Sequence, residues 1–291
     1  MIIAKNLMHE PITILRDSSL SDAIKKLLYY NISRLIVRKD LKLVGILTEK
    51  DIGNFLFKDT SAASLEQIPI DKIMKPIIFI DGTASVQDCA RTMISNGISS
   101  LVVGTSEKAE GILTKTDIVA NYAESHVGEN KVVQIKNPGY VSVSTESSLS
   151  EAIQKMFENN ISRIIVTNQN KKPIGIITFR DFFGISLQLA SEQDVTESAA
   201  LSGQIRKGFL SDVGFGGISL ARDIMTRKIL SVSPDDDLSY ACKLMITNQI
   251  NGLAVVDKEG KTGIISKTDI VQFLAGYIGI RGLVLKKKVL Q

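Results

Sequence analysis

Gly45-Ile46-Leu47-Thr48-Glu49-Lys50-Asp51 has three near copies further along the chain. They are Gly111-Ile112-Leu113-Thr114-Lys115-Thr116-Asp117, Gly175-Ile176-Ile177-Thr178-Phe179-Arg180-Asp181 and Gly263-Ile264-Ile265-Ser266-Lys267-Thr268-Asp269. A glycine, two branched apolar residues, a hydroxyl and an aspartate at fixed spacing read as a strand running into a helix. Four copies in 291 residues set the architecture before any single residue is interpreted.

Upstream of each junction lies a second match: Asn31-Ile32-Ser33-Arg34, Asn96-Gly97-Ile98-Ser99-Ser100, Asn160-Ile161-Ser162-Arg163 and Asn248-Gln249-Ile250-Asn251-Gly252. The isoleucine precedes the junction glycine by 13 positions, or 14 in the third copy. Leu20, Ala23, Ile24, Leu27 and Leu28 share one helical face, with Ser18 or Ser19 able to cap its start. Leu35 to Val37 and Leu43 to Leu47 are short β-branched runs that read as strands. A strand at Ile12-Thr13-Ile14 precedes the helix, and Ile52, Phe55 and Leu56 mark a second helix after the junction. The predicted unit is β-α-β-β-α, an α/β (α+β) fold of roughly fifty to sixty residues. The repeats fall at about 4–58, 70–125, 133–185 and 221–278.

Repeats one and three share Ile-Ser-Arg (Arg34, Arg163) and a basic residue before the aspartate (Lys50, Arg180). Repeats two and four share Lys-Thr-Asp-Ile-Val and carry Ser100 and Gly252 where those arginines stood. Duplication of a two-repeat module accounts for this and predicts modules over 1–125 and 130–291. Residues 186–220 interrupt the spacing and read as an insertion, with a helix near Leu187 to Leu201 and a turn at Gly214-Phe215-Gly216-Gly217.

Hydrophobic residues at 44% and charged residues at 23% describe an ordinary globular composition. No apolar run approaches the roughly 18 residues of a membrane helix, and the first residues lack a signal-peptide core, so a cytoplasmic location is expected. Cys89 and Cys242 fall on equivalent helices among apolar residues and read as small core side chains. His9 and His126 are the chain's two histidines, too few for a metal or histidine-based catalytic cluster. A net charge of +4, helped by Lys286-Lys287-Lys288, suits anionic ligands.

At the junction, unpaired N–H groups and the helix dipole favour a phosphate. Thr48, Thr114, Thr178 and Ser266 add a hydroxyl. Asp51, Asp117, Asp181 and Asp269, one turn into the helix, can accept from vicinal ribose hydroxyls. Hydroxyl and carboxylate together describe a nucleotide. Thr-x-x-Asp at a helix start also fits a capping box, in which the two side chains satisfy backbone donors. The sequence leaves both readings open.

The pattern Gly-h-h-[Ser/Thr]-x-x-Asp after β-α-β-β resembles the CBS domain, named for cystathionine β-synthase, over nearly the whole chain except 186–220. The resemblance implies that repeats pair into two Bateman modules whose clefts bind AMP, ADP, ATP or S-adenosylmethionine. Four repeats are similar to the nucleotide-sensing gamma subunit of AMP-activated protein kinase, where two modules form a flat disc. By position, Asp51, Asp117, Asp181 and Asp269 would hold ribose. Thr48, Thr114, Thr178, Ser266, Arg34, Arg163, Lys50 and Arg180 would face phosphate. Adenine would be read by backbone near Ile32, Ile98, Ile161 and Ile250, with Thr13, Ser142 and Ser231 on the first strands as further contacts; repeat two has Phe79 there.

The expected function is a non-catalytic adenine-nucleotide sensor needing no cofactor or metal, either a monomeric disc or a homodimer, with a protein target the sequence does not name. Alternatives from other classes are a single-stranded nucleic-acid binder, which 5% aromatic content and the absence of Trp disfavour, and an S-adenosylmethionine sensor or scaffold.

Overall fold

The computed structural model describes residues 2–59, 61, 63–135, 139–183, 219–227, 229–260 and 262–276. The helix expected near Leu187 to Leu201, the turn at 214–217 and the lysine tail lie outside the described residues. The repeat has the expected β-α-β-β-α order in four copies, each with its own three-stranded sheet. The first holds β1 (Thr13–Leu15), β2 (Arg34–Lys39) and β3 (Lys42–Thr48); the second β4 (Phe79–Ile80), β5 (Ser100–Gly104) and β6 (Ala109–Thr114). The third holds β7 (Ser142–Ser144), β8 (Arg163–Thr167) and β9 (Pro173–Thr178); the fourth β10 (Ser231–Val232), β11 (Gly252–Val256) and β12 (Thr262–Ser266).

In each sheet the central strand runs parallel to the first and antiparallel to the third. A parallel pair needs a crossover, and one amphipathic helix supplies it each time: Leu20–Tyr29, Val86–Ser95, Leu149–Glu158 or Leu238–Thr247. Of the face expected from periodicity, Leu20, Ala23, Ile24 and Leu27 are fully buried and Leu28 partly so, and Ser19 caps the helix. Each buried leucine or isoleucine stabilises the fold by roughly 1.5–3 kcal/mol.

All four crossover helices end in the same way. Asn31, Gly97, Asn160 and Gln249 adopt left-handed backbone with φ between 51° and 65°. The N–H of the following isoleucine reaches back to close the helix: Ile32 to Leu27 O at 3.0 Å, Ile98 to Met93 O at 2.9 Å, Ile161 to Met156 O at 2.9 Å and Ile250 to Met245 O at 3.0 Å. This is a Schellman motif, which accounts for Asn or Gly in three of the four repeats at a position where most side chains cost energy.

The described residues fall into two compact units. One gathers residues from Pro11–Ile77 and Tyr140–Ile229, and so holds the junctions of repeats one and three; it is called the odd unit below. The other gathers residues from Met1–Glu10, Ile78–Gly139 and Leu230–Gln291, with the junctions of repeats two and four; it is the even unit. Each has its own core, with Leu27, Leu47, Met156 and Phe182 in the first and Cys89, Leu113, Tyr122 and Met245 in the second. The units group repeats by likeness. Each expected module, 1–125 and 130–291, contributes one junction to either unit.

Candidate functional site

In three repeats the junction glycine lies under a short segment from elsewhere in its unit. Ile46 exchanges two backbone hydrogen bonds with Lys75, at 2.9 and 2.8 Å; Ile112 does so with His9 and Ile176 with Thr226. A Cβ on Gly45 would stand 2.6 Å from Met74 Sδ; on Gly111, 2.9 Å from both His9 O and Met8 Sδ; on Gly175, 2.4 Å from Met225 Sδ. The glycine therefore makes room for a Met-x segment of the same chain.

Three residues after the glycine the strand ends and the capping box closes. Thr48 N–H and Oγ1 donate to Asp51 Oδ2 at 3.1 and 2.5 Å, and Oγ1 accepts from Asp51 N–H at 3.2 Å. Thr114 donates twice to Asp117 Oδ2, both at 2.7 Å; Thr178 to Asp181 Oδ2 at 2.7 and 2.8 Å; Ser266 to Asp269 Oδ2 at 2.8 and 2.6 Å. Aspartate thus closes the box at every junction, the capping geometry the sequence left open. Ser19–Asp22 makes a similar box at its crossover helix, and Ser85 caps another with Asp88 through the side chain alone.

Burial separates the two sets. Asp22 and Asp88 are exposed, whereas Asp269 is 5% exposed, and Asp51, Asp117 and Asp181 are intermediate. Burial pushes the Asp181 carboxyl above its ordinary range, opposed by hydrogen bonds from Thr178 and Thr226. His9 Nε2 lies 3.5 Å from Asp117 Oδ2. Both hydrogen bonds to the Asp51 carboxylate fall on Oδ2.

The helix starts are less open to phosphate than the sequence suggests. The first helical N–H is already given to the residue just before the central strand: Glu49 to Ser33 O and Lys115 to Ser99 O at 3.1 Å, Lys267 to Asn251 O at 3.0 Å. The third is given to the cap hydroxyl in repeats one and two. Positive charge must come mainly from side chains. Arg34 stands directly across the strand pair from Thr48, and Arg163 from Thr178; Ser100 and Gly252 occupy the same register opposite Thr114 and Ser266.

The backbone near the four isoleucines has a similar restriction. Their N–H groups close the Schellman motifs, so they are not donors to an adenine edge, and the carbonyl is the remaining polar group. Thr13, Phe79, Ser142 and Ser231 do open their strands in equivalent register, opposite Ile36, Val102, Ile165 and Ala254.

Four segments of this chain, 4–58, 69–124, 132–187 and 221–276, match the CBS domain family. The chain belongs to it. Protein MJ1225 of Methanocaldococcus jannaschii is 25% identical over 80% of this chain and 84% of its own length. MJ1426 of the same organism is 31% identical over 45% of this chain and 84% of its own. The crystal structure of MJ1225, offered as an archaeal homologue of g-AMPK, superposes with a TM-score of 0.77 over 94% of this chain and all of that one, at 19% identity.

The CBS repeats of the odd unit meet through their junction helices. Lys50 Nζ donates to Asn160 O at 3.2 Å and to Asn160 Oδ1; reciprocally, Arg180 donates to Asn31 Oδ1 and, through Nη2, to Ile32 O at 2.8 Å. Arg180 Nε and Nη2 also hold Glu49 Oε1 at 2.8 and 2.7 Å. In the even unit the reciprocal contacts are Lys115 to Thr268 at 3.3 Å and Lys267 to Thr116 at 3.1 Å. The basic residues near each aspartate are therefore engaged across the pair, including Lys50 and Arg180, expected to face phosphate.

Glu49 was missed by sequence reading. Its counterparts are Lys115, Phe179 and Lys267, and a departure of charge at one repeat in four is the signal that could have found it. Cys89 and Cys242 are free and fully buried, with burial pushing their thiols up to about 11 and about 12. Among the described residues no group of three or more His, Cys, Asp and Glu could hold a metal ion. Among them, too, no helix is long and apolar enough to cross a membrane.

Proposed function

We propose that this CBS protein is a non-catalytic sensor of an adenosyl ligand, with adenine nucleotides (AMP, ADP or ATP) as the class that fits its charge. The carrying observation is that the junction carboxylates are withdrawn from solvent, Asp269 fully and Asp51, Asp117 and Asp181 in part. A cap needs no burial, as Asp22 and Asp88 demonstrate, and desolvating a carboxylate costs energy that a solvated cap avoids. A ribose diol offers two donors to such a group. Family membership supports the same class: a CBS protein from Pyrobaculum aerophilum is a complex with AMP, and the CBS pair of MJ0100 is a complex with 5′-methylthioadenosine and S-adenosyl-L-methionine.

In this reading Asp51, Asp117, Asp181 and Asp269 receive ribose hydroxyls. Arg34 and Arg163, each facing a cap threonine, neutralise phosphate; at repeat one the first and third helix N–H groups are already spent within the protein. Adenine donates its amino group to carbonyls near Ile98, Ile161 and Ile250. Sensing requires the ligand to bind two conformations unequally. Calorimetric titration with AMP, ADP, ATP and S-adenosylmethionine tests this, alongside Asp51→Ala and Asp181→Ala. Saturable binding of one ligand, with a site lost in each variant, supports the reading. No heat from any of them returns the four carboxylates to capping alone.

A further inference from the structure

The odd unit carries a carboxylate where a ligand's anion would be attracted. Glu49 opens the junction helix of repeat one, its N–H on Ser33 O and its side chain 17% exposed. Its Oε1 accepts from both Nε and Nη2 of Arg180, two charge-assisted contacts on one oxygen. Arg34 stands beside it, opposite Thr48, and the charges of both Arg34 and Arg163 bear on it as well. The charges of three guanidinium groups from repeats one and three thus act on one acidic group, with Arg180 in direct contact with it. The even unit has Lys115 and Lys267 at this position and Ser100 and Gly252 in place of the strand arginines.

We infer that Glu49 is an internal anion that competes with ligand phosphate for the arginine cluster of the odd unit, and so sets how much phosphate charge a ligand needs to bind there. The inference rests on the proposed reading for its ligand, but its physical content is the competition of two anions for the same cations. A monophosphate gains little over the resident carboxylate, while a di- or triphosphate carries enough charge to engage the arginines despite it. Burial outweighs the three arginines and pushes the Glu49 carboxyl up, so the resident anion is one whose charge the protein holds at a cost. Removing that charge while keeping its shape strengthens binding in proportion to the ligand's charge.

The test is titration of wild type and Glu49→Gln with inorganic pyrophosphate, adenosine, AMP and ATP. The expected result is pyrophosphate affinity about tenfold higher in Glu49→Gln, within the usual span of coupling between neighbouring sites, with a larger gain for ATP than for AMP and none for adenosine. Pyrophosphate bound equally by both proteins, or by neither, overturns the inference. Should Glu49→Gln not fold, Arg34→Gln serves: wild type must bind pyrophosphate more tightly than this variant, and equal binding overturns the cluster's role. The two readings separate cleanly. A pyrophosphate gain without adenosine or AMP binding keeps the internal anion and removes the adenine ligand; adenosine binding without the gain does the reverse.

Discussion

The two units solve the same packing problem in different ways. In the even unit the junction helices meet through a reciprocal pair of lysine-to-threonine contacts, and the two repeats contribute alike. In the odd unit the repeats have diverged across the seam: Glu49 faces Arg180, and Gly53 faces Phe179. A Cβ on Gly53 would lie 2.2 Å from Phe179 Cδ1, so the ring occupies space that only a glycine leaves. Phe179 also stacks on Phe157 at 5.6 Å and meets Phe182 edge-on at 6.3 Å. The difference teaches that a duplicated contact stays symmetric while it does one job, and becomes complementary when one partner takes on charge or bulk.

The largest expected effect breaks that complementarity. Phe179→Ala should destabilise the protein by about 3–5 kcal/mol, the usual cost of emptying a buried aromatic site, as read by urea unfolding. Gly53→Ala should destabilise wild type, because the ring cannot give way. In the Phe179→Ala background the same substitution should instead stabilise by about 0.5–1 kcal/mol, the ordinary gain of alanine over glycine within a helix. An unchanged sign in the two backgrounds would mean that the ring and the glycine are not paired.

Next in size are the junction glycines. Gly175→Ala places its methyl against Met225 and should cost about 1–3 kcal/mol, as overpacking does. Gly111→Ala in the even unit should cost a similar amount, because Met8 and His9 O crowd it as Met225 crowds Gly175. A large difference between them would show that the Met-x segments are not equivalent. Here the limits of sequence reading are visible. The repeat, its strand order and the buried helix face were legible, because period and spacing carry them locally. The Met-x segments were not, because each is distant in sequence from the strand it borders, and a glycine records close approach without naming what approaches. The Schellman turns were equally hidden, although Asn31, Gly97 and Asn160 stood in plain view. The spending of isoleucine and helix-start N–H groups inside the fold trimmed the site that the motif alone suggested.

A smaller effect concerns pH. Glu49 and Asp181, both in the odd unit, have carboxyls raised by burial. The folded protein therefore holds their protons to higher pH than the unfolded chain does. Between the ordinary carboxylate range and the raised folded values, the native state binds more protons, so these groups make stability fall as pH rises. Glu49→Gln and Asp181→Asn should each flatten that fall in urea unfolding measured at a series of pH values. A variant that steepens it would show that attraction from Arg180, Arg34 and Arg163, or from the threonine hydroxyls, outweighs burial.

The smallest effect expected is none, and it sharpens the comparison most. Both cysteines of the chain lie in the core of the even unit, buried and with raised thiol values, so a thiol reagent should label neither in the native protein. Labelling then reports opening of the even unit alone. Phe179→Ala acts on the odd unit, whose core cluster shares no residue with the even one. In mild urea, below the main transition, its labelling rate should match wild type, because opening the even unit exposes none of the mutated core. A rate raised in proportion to the lost stability would show instead that the two cores unfold as one. The asymmetry of the odd seam would then weaken the whole chain, beyond the pair of repeats that carries it.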